Sequence, residues 1–176
     1  MSNHVPIRFE TGRPMLLAGL RQRHAFAAAE PGISRQWQTF LSREAIPGRT
    51  GSSLYGVMCG ADTTSMEYMC GVEVESLSGL AERVGRLRVP AQHYAVFAHP
   101  GPASALRTTW QLALAWLSSG SYESAHAPDF ELYGPTVDPL AAHAGIEVWV
   151  GVVPRKRADA GPQNRGQGQV QGEHLP

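Results

Sequence analysis

The stretch at residues 145–153, GIEVWVGVV, constrains the fold more than any other. Successive side chains on a strand leave opposite faces of a sheet. A strand here therefore puts Ile146, Val148, Val150 and Val152 on one face, and Glu147, Trp149 and Gly151 on the other. The aliphatic face needs a covering layer, and helices suit it. The second face sets a carboxylate beside an indole and a gap, which suits a hydrophobic cation. It equally suits a solvated face, because antiparallel sheets commonly wet one side.

Along the chain, short strands are expected over 5–10 and 14–24, turned at Gly12–Arg13, followed by a loop or irregular helical turn over 25–32. Ser34 then caps a helix carrying Trp37, Phe40, Leu41 and Ala45 at helical spacing, stopped by Pro47–Gly48. Strands at 54–59 and 66–75 flank a polar loop, and Met66, Tyr68, Cys70, Val72 and Val74 share one face. A loop through Gly79 and Gly85 leads to a strand over 92–98. The clearest helix covers 103–119, with Leu106, Trp110, Leu114 and Leu117 as its stripe and Gly120 at its end. Strands at 129–133 and 145–153 close the domain.

Strand, helix and two strands thus occur twice. The expected class is α+β: two strand–helix–strand–strand repeats forming a helix-backed antiparallel sheet with a central ligand cleft. The domain spans 1–153. From Pro154 the composition turns to Arg, Gln and Gly, and residues 154–176 are expected to be a disordered tail.

Apolar residues make up 43% of the 176-residue chain, enough for a core, while charged residues reach only 17% and the net charge is zero. No overall field steers such a chain to nucleic acid or to an anionic membrane. The N-terminus lacks a signal layout and no apolar run approaches the roughly 18 residues of a span, so a soluble, cytoplasmic protein is expected. Cys59 and Cys70 are read as free thiols in preference to a hairpin disulfide. The histidines at 4, 24, 93, 99, 126, 143 and 174 show no ligand spacing, and His93 and His99 are assigned to the surface. With no metal-spaced cluster, P-loop or nucleophile–base order, neither a metal nor a cofactor is expected.

Six short motifs follow in order: YGV at 55–57, GVEV at 71–74, YAVFAHPG at 94–101, SGSY at 119–122 after a Trp-containing helix, PDFELY at 128–133 and IEVWVGV at 146–152. Together they resemble the GyrI-like small-molecule-binding domain, the effector-binding part of some AraC-type and MerR-type multidrug regulators. The resemblance covers residues 5–153 and implies two repeats around a cleft that takes bulky, flat, often cationic compounds. It implies Glu147 as the pocket acid and Trp149, Tyr55, Tyr68 and Phe97 as aromatic walls. Glu131, by alternation, is either cleft-facing or in a surface salt bridge, and Trp110 completes the candidate set. No helix-turn-helix precedes the repeats, so a stand-alone form is expected, acting by sequestering or by reporting to a partner.

Two alternatives are kept. One is a hydrolase of small electrophiles with Glu147 as general base; the other is a protein-binding inhibitor of the gyrase-inhibitor type. Edge strands leave room for a protein partner or a homodimer.

Overall fold

The computed structural model describes residues 6–43, 45–140 and 145–156. In chain order the elements are β1 (Arg8–Gly12), β2 (Met15–Ala25), α1 (Ala29–Leu41), β3 (Leu54–Ala61), β4 (Ser65–Glu73), β5 (Gly85–Val89), β6 (Gln92–His99), α2 (Leu106–Ser119), β7 (Tyr122–Ser124), β8 (Asp129–Tyr133) and β9 (Ile146–Pro154). Short 3-10 turns at Phe26–Ala28 and Ala103–Ala105 lead into the two helices. The class is α+β. Its antiparallel sheet runs β1-β6-β9-β8-β3-β4-β2-β5, with β7 added beside β9.

This order is symmetric about the seam where β3 pairs with β8. Apart from the short β7, each half is strand–strand–helix–strand–strand; β5 is the strand not expected from the sequence, and the leading strand of each half pairs with the other half. β1 lies on β6, and β5 lies on β2. The turn after Gly12 therefore makes no hairpin: β2 pairs with β4 and β5. The segment read as a loop through Gly85 is the strand β5, whose five residues hold too short an alternation to signal themselves.

Only Arg13 and Pro14 separate β1 from β2, which stand near opposite ends of the strand order. The sheet must curl until those ends approach. Curling fills its helix-free side with its own side chains: Leu17, Tyr55, Val57, Met69, Val89, Tyr94, Val96 and Phe130. The opposite side carries α1 and α2 over Tyr68, Cys70, Ala95, Phe97, Tyr133, Ile146, Val148, Val150 and Val152. The aliphatic face of β9 is thus the helix-covered one, as its alternation requires.

Helix α1 starts at Ala29, five residues before the expected cap at Ser34, and ends at Leu41. Pro31 sits in its first turn, where a missing N–H removes no intrahelical bond. At the other end of the chain, Pro154 belongs to β9 and the Arg155 N–H donates to Ser121 O at 2.8 Å. The expected tail is otherwise outside the described residues. Among the described residues no helix is long and apolar enough to cross a membrane.

Three glycines line up across the sheet, Gly85 opposite Gly19 on β2 and Gly19 opposite Gly71 on β4. A Cβ at Gly19 would collide with the Cys70 carbonyl oxygen and lie 2.7 Å from the Gly71 Cα, and backbone cannot swing aside as a side chain can. Gly19→Ala is expected to destabilise the fold by about 3 kcal/mol, at the upper end for overpacking. The denaturant midpoint of the purified variant measures this; a midpoint equal to wild type refutes it.

Candidate functional site

Between the two helices and the sheet seam lies a cavity of about 710 Å³, within the usual range for small-molecule sites. Trp37 on α1 and Trp110 and Leu114 on α2 form its sides, and Tyr68, Glu131 and Tyr133 its floor. Strand parity puts the floor residues there. On β8, Phe130 and Leu132 turn into the helix-free core, so Glu131 and Tyr133 turn toward the helices.

Glu131 is 5% exposed. Its Oε2 accepts from Tyr68 Oη at 2.5 Å and from Tyr133 Oη at 2.8 Å, and its Oε1 accepts from Trp110 Nε1 at 2.8 Å. The Trp37 indole N–H donates to Tyr68 Oη at 3.2 Å, which brings α1 into the same network. Among the described residues no arginine or lysine pairs with Glu131. Burial raises its pKa above the ordinary carboxylate value, against the opposing pull of the three donors. The same burial, next to that carboxylate, pushes the Tyr68 and Tyr133 hydroxyls well above theirs, so both remain donors.

Room for this network comes from Gly56, which stands directly across the seam from Glu131. A Cβ there would collide with both the Tyr68 hydroxyl and the Glu131 carboxylate. Nearby, His99 supports the base of α2. Its Nε2 donates to Pro102 O at 2.8 Å, and its Nδ1 stands 2.8 Å from the Thr109 hydroxyl. At 4% exposure it is buried, contrary to its assignment to the surface, because α2 covers the end of β6.

The candidate residues divide between the two sides of the sheet. Tyr68, Glu131 and Trp110 meet at the cavity. Glu147 and Trp149 lie on the helix-free side, where both Glu147 oxygens accept from Arg8 on β1, Nη1 at 2.7 Å and Nη2 at 2.8 Å. Trp149 Nε1 donates to Glu147 Oε2 at 2.9 Å, and the Arg8 guanidinium lies 5.5 Å from the Trp149 ring centre. The Arg8 guanidinium holds the Glu147 carboxyl below its ordinary pKa. Glu147 therefore already has its cation and does not line the cavity, so neither the pocket acid nor the alternative general base of this cavity sits at 147. Tyr55 packs edge-on against Phe130 in the helix-free core. Phe97 is under the helices but packs on Trp116, away from the cavity lining. The thiols are free: Cys70 is buried on the helix side, and Cys59, in the opposite cluster, is pushed up to about 11 by burial.

The model of the family described as the GyrI-like small molecule binding domain matches residues 6–152. The chain is 28% identical over 131 residues to the transcriptional regulator BrlR of Pseudomonas aeruginosa, covering 71% of this chain and 48% of that protein. It thus spans about half the length of that curated relative. Among solved structures, an integron cassette protein from Vibrio cholerae superimposes with a TM-score of 0.63 at 18% identity, covering 84% of this chain and 96% of that one. SAV2435, solved bound to tetraphenylphosphonium, gives 0.57 at 15% identity, covering 83% and 93%. At such identities the structural likeness concerns the fold.

Gly56→Ala is expected to push Tyr68 and Glu131 apart and to destabilise the protein by about 2 kcal/mol, the cost of a broken buried hydrogen bond with local overpacking. Gly60→Ala on the same strand, with nothing within 4 Å of the added methyl, serves as the control. Equal thermal midpoints for the two variants would contradict the packing at Gly56.

Proposed function

The chain belongs to the GyrI-like small-molecule-binding family, and on that footing we propose that its cavity takes a bulky, hydrophobic cation whose charge is met by Glu131. One observation carries this: a carboxylate nearly sealed from water, on the floor of an aromatic-walled cavity, is hydrogen-bonded among the described residues only by neutral donors. Such donors offset part of the cost of burying a charge, but they do not neutralise it. A cation entering the cavity supplies the missing charge in a low-dielectric setting, where its attraction is strongest. Faces of Trp37 and Trp110 add roughly 0.5–2 kcal/mol each by cation–π contact. A neutral molecule of the same shape obtains the ring contacts without the charge term. SAV2435, whose fold is shared, is a protein solved with a cation bearing four phenyl groups.

Two roles fit a ligand held in this way. In one the protein sequesters the compound. In the other, occupancy is reported to a DNA-binding partner or segment, in keeping with the likeness to a transcriptional regulator of about twice the matched length.

The test is a titration with a fluorescent lipophilic cation and a neutral dye of matching shape, on wild type, Glu131→Gln and Glu147→Gln. Glu131→Gln is expected to weaken the cation by about 10- to 100-fold, as loss of a buried charged partner does, and to leave the neutral dye within a few-fold. Glu147→Gln is expected to bind both like wild type. Unchanged cation preference in Glu131→Gln would sink the assignment.

The pH dependence has a definite sign. The folded-state pKa of Glu131 is raised, so the folded protein holds a proton that the unfolded chain has released above the ordinary pKa of about 4.5. As pH rises from there through the raised value, this group's contribution to stability falls while cation affinity grows. Affinity for the neutral dye stays flat over the same range. Parallel pH profiles for the two dyes would refute the role of the carboxylate.

A further inference from the structure

The strand order has two ends, β1 and β5, the leading strands of the two halves. Among the described residues the outer edge of each is unpaired, and an unpaired edge is a template for another strand. The two edges carry opposite patterns. β5 turns Leu87 and Val89 into the helix-free core and exposes Arg86 and Arg88 on its other face.

β1 does the reverse. Its charged residues stand on the helix-free side, where Arg8 donates to Glu10 at 2.7 Å and to Glu147. On the helix side, opposite Ala95, Phe9 is 50% exposed, and Ile7 just before the strand is 56% exposed. The ring centres of Tyr122 and Trp116 lie 5.1 and 6.1 Å from that of Phe9, and Trp116 stacks on Tyr122. An apolar ledge thus runs from α2 out to the open edge of the sheet.

The order of charges separates the two edges further. When a strand pairs antiparallel with its own copy about a two-fold axis, each residue faces the one equally far beyond the centre. Centred on Leu87, β5 would set Arg86 against Arg88 twice, and like charges directly opposite are destabilising. Centred on Phe9, β1 sets Arg8 against Glu10 twice, with ring against ring at the centre and Ile7 against Thr11. Opposite charges and aromatic pairs in those places are favourable.

We propose that β1 is a docking edge for a second copy of this chain, the two β1 strands pairing antiparallel about Phe9 so that two sheets become one. The self-complementary order of charge selects a second copy over an unrelated strand. Exposed Ile7 and Phe9 supply apolar area on the helix face. Such a two-fold keeps corresponding faces together, so the helices of both copies lie on one side of the joined sheet. β5, at the equivalent place in the other half, is kept from the same pairing by its arginines. The ladder is short, so association is reversible and depends on concentration.

Sedimentation velocity of the full chain over roughly 1–100 µM tests this, the range in which small interfaces associate. The weight-average mass is expected to rise from monomer toward dimer. Glu10→Arg gives β1 the charge order of β5. It is expected to weaken the dimer by about tenfold or more, two opposite-charge pairs becoming like-charge ones. Arg88→Gln is expected to dimerise as wild type does. The register has its own test, in a Cys59→Ser background that removes the half-exposed native thiol. Under mild oxidation Phe9→Cys is expected to form a disulfide-linked dimer, because the central residue faces itself at a Cα separation of about 5 Å. Thr11→Cys is expected to stay unlinked, since its two copies stand roughly 13 Å apart along the strands, beyond disulfide reach. The cysteine pair does not depend on Glu10→Arg folding. A monomer throughout the range, a dimer indifferent to Glu10→Arg, or cross-linking of Thr11→Cys in place of Phe9→Cys overturns the proposal. None of these outcomes bears on the cavity at Glu131.

Discussion

A carboxylate taken out of water must be met by hydrogen-bond donors, and the architecture can be followed outward from how Glu131 is met. Its three donors come from β4, from α2 and from β8, so neither half of the fold supplies them alone. Tyr68 belongs to the first half, and Trp110 and Tyr133 to the second. Gly56, from the first half, gives up its side chain so that the Tyr68 hydroxyl and the carboxylate can meet across the seam. The cavity and its charge thus form only when the two halves are joined, and the exchange of β1 and β5 between halves ties them through backbone hydrogen-bond ladders.

The same exchange decides which side of the sheet can hold a ligand. Bringing β1 close to β2 curls the sheet, and the helix-free side fills with its own aromatics: Trp149 stacks on Phe130 with ring centres 5.4 Å apart, and Tyr94 packs edge-on against both. On the helix side, two helices cannot cover nine strands as closely. The gap between them over the seam is what remains open.

Strand alternation in the sequence was enough to assign faces. It put Ile146, Val148, Val150 and Val152 under the helices, grouped Tyr68 with Cys70, and set Glu131 opposite Phe130 and Leu132. Alternation does not say which face is closed by curling, because that depends on where β1 goes, and the Arg8–Glu147 contact spans 139 positions. The resemblance placed the pocket acid at 147, one strand away from Glu131, on a side the curl had filled. Other features left no periodic trace. Gln36, His24 and His99 are buried polar groups whose partners are backbone carbonyls or side chains brought in by tertiary packing, and a lone polar residue within an apolar pattern reads as surface. β5 is too short to show a period, and Pro31 lies in a first turn that tolerates it, so the true start of α1 was hidden behind a residue that usually breaks helices.

The contrast between Glu147 and Glu131 carries a more general point about acids in binding proteins. Both lie on neighbouring strands of one sheet, and both are bonded by an indole N–H. Glu147 is a quarter exposed and forked by a guanidinium, so a ligand cation would have to displace an arginine that is already well placed, with little net gain. Glu131 is buried, raised in pKa and, among the described residues, bonded only by groups without charge, so in the proposed mode a cation entering beside it meets no competing cation. On the proposed reading, what sets the ligand-binding carboxylate apart from the structural one is the missing counter-charge. The short bonds from Tyr68, Tyr133 and Trp110 hold that carboxylate in one orientation before any ligand arrives, which lowers the ordering cost of binding. Because Trp37 and Gln36 both bond Tyr68, α1 is registered on the same group, and the helix that forms one wall of the cavity is positioned by the residue that positions its charge.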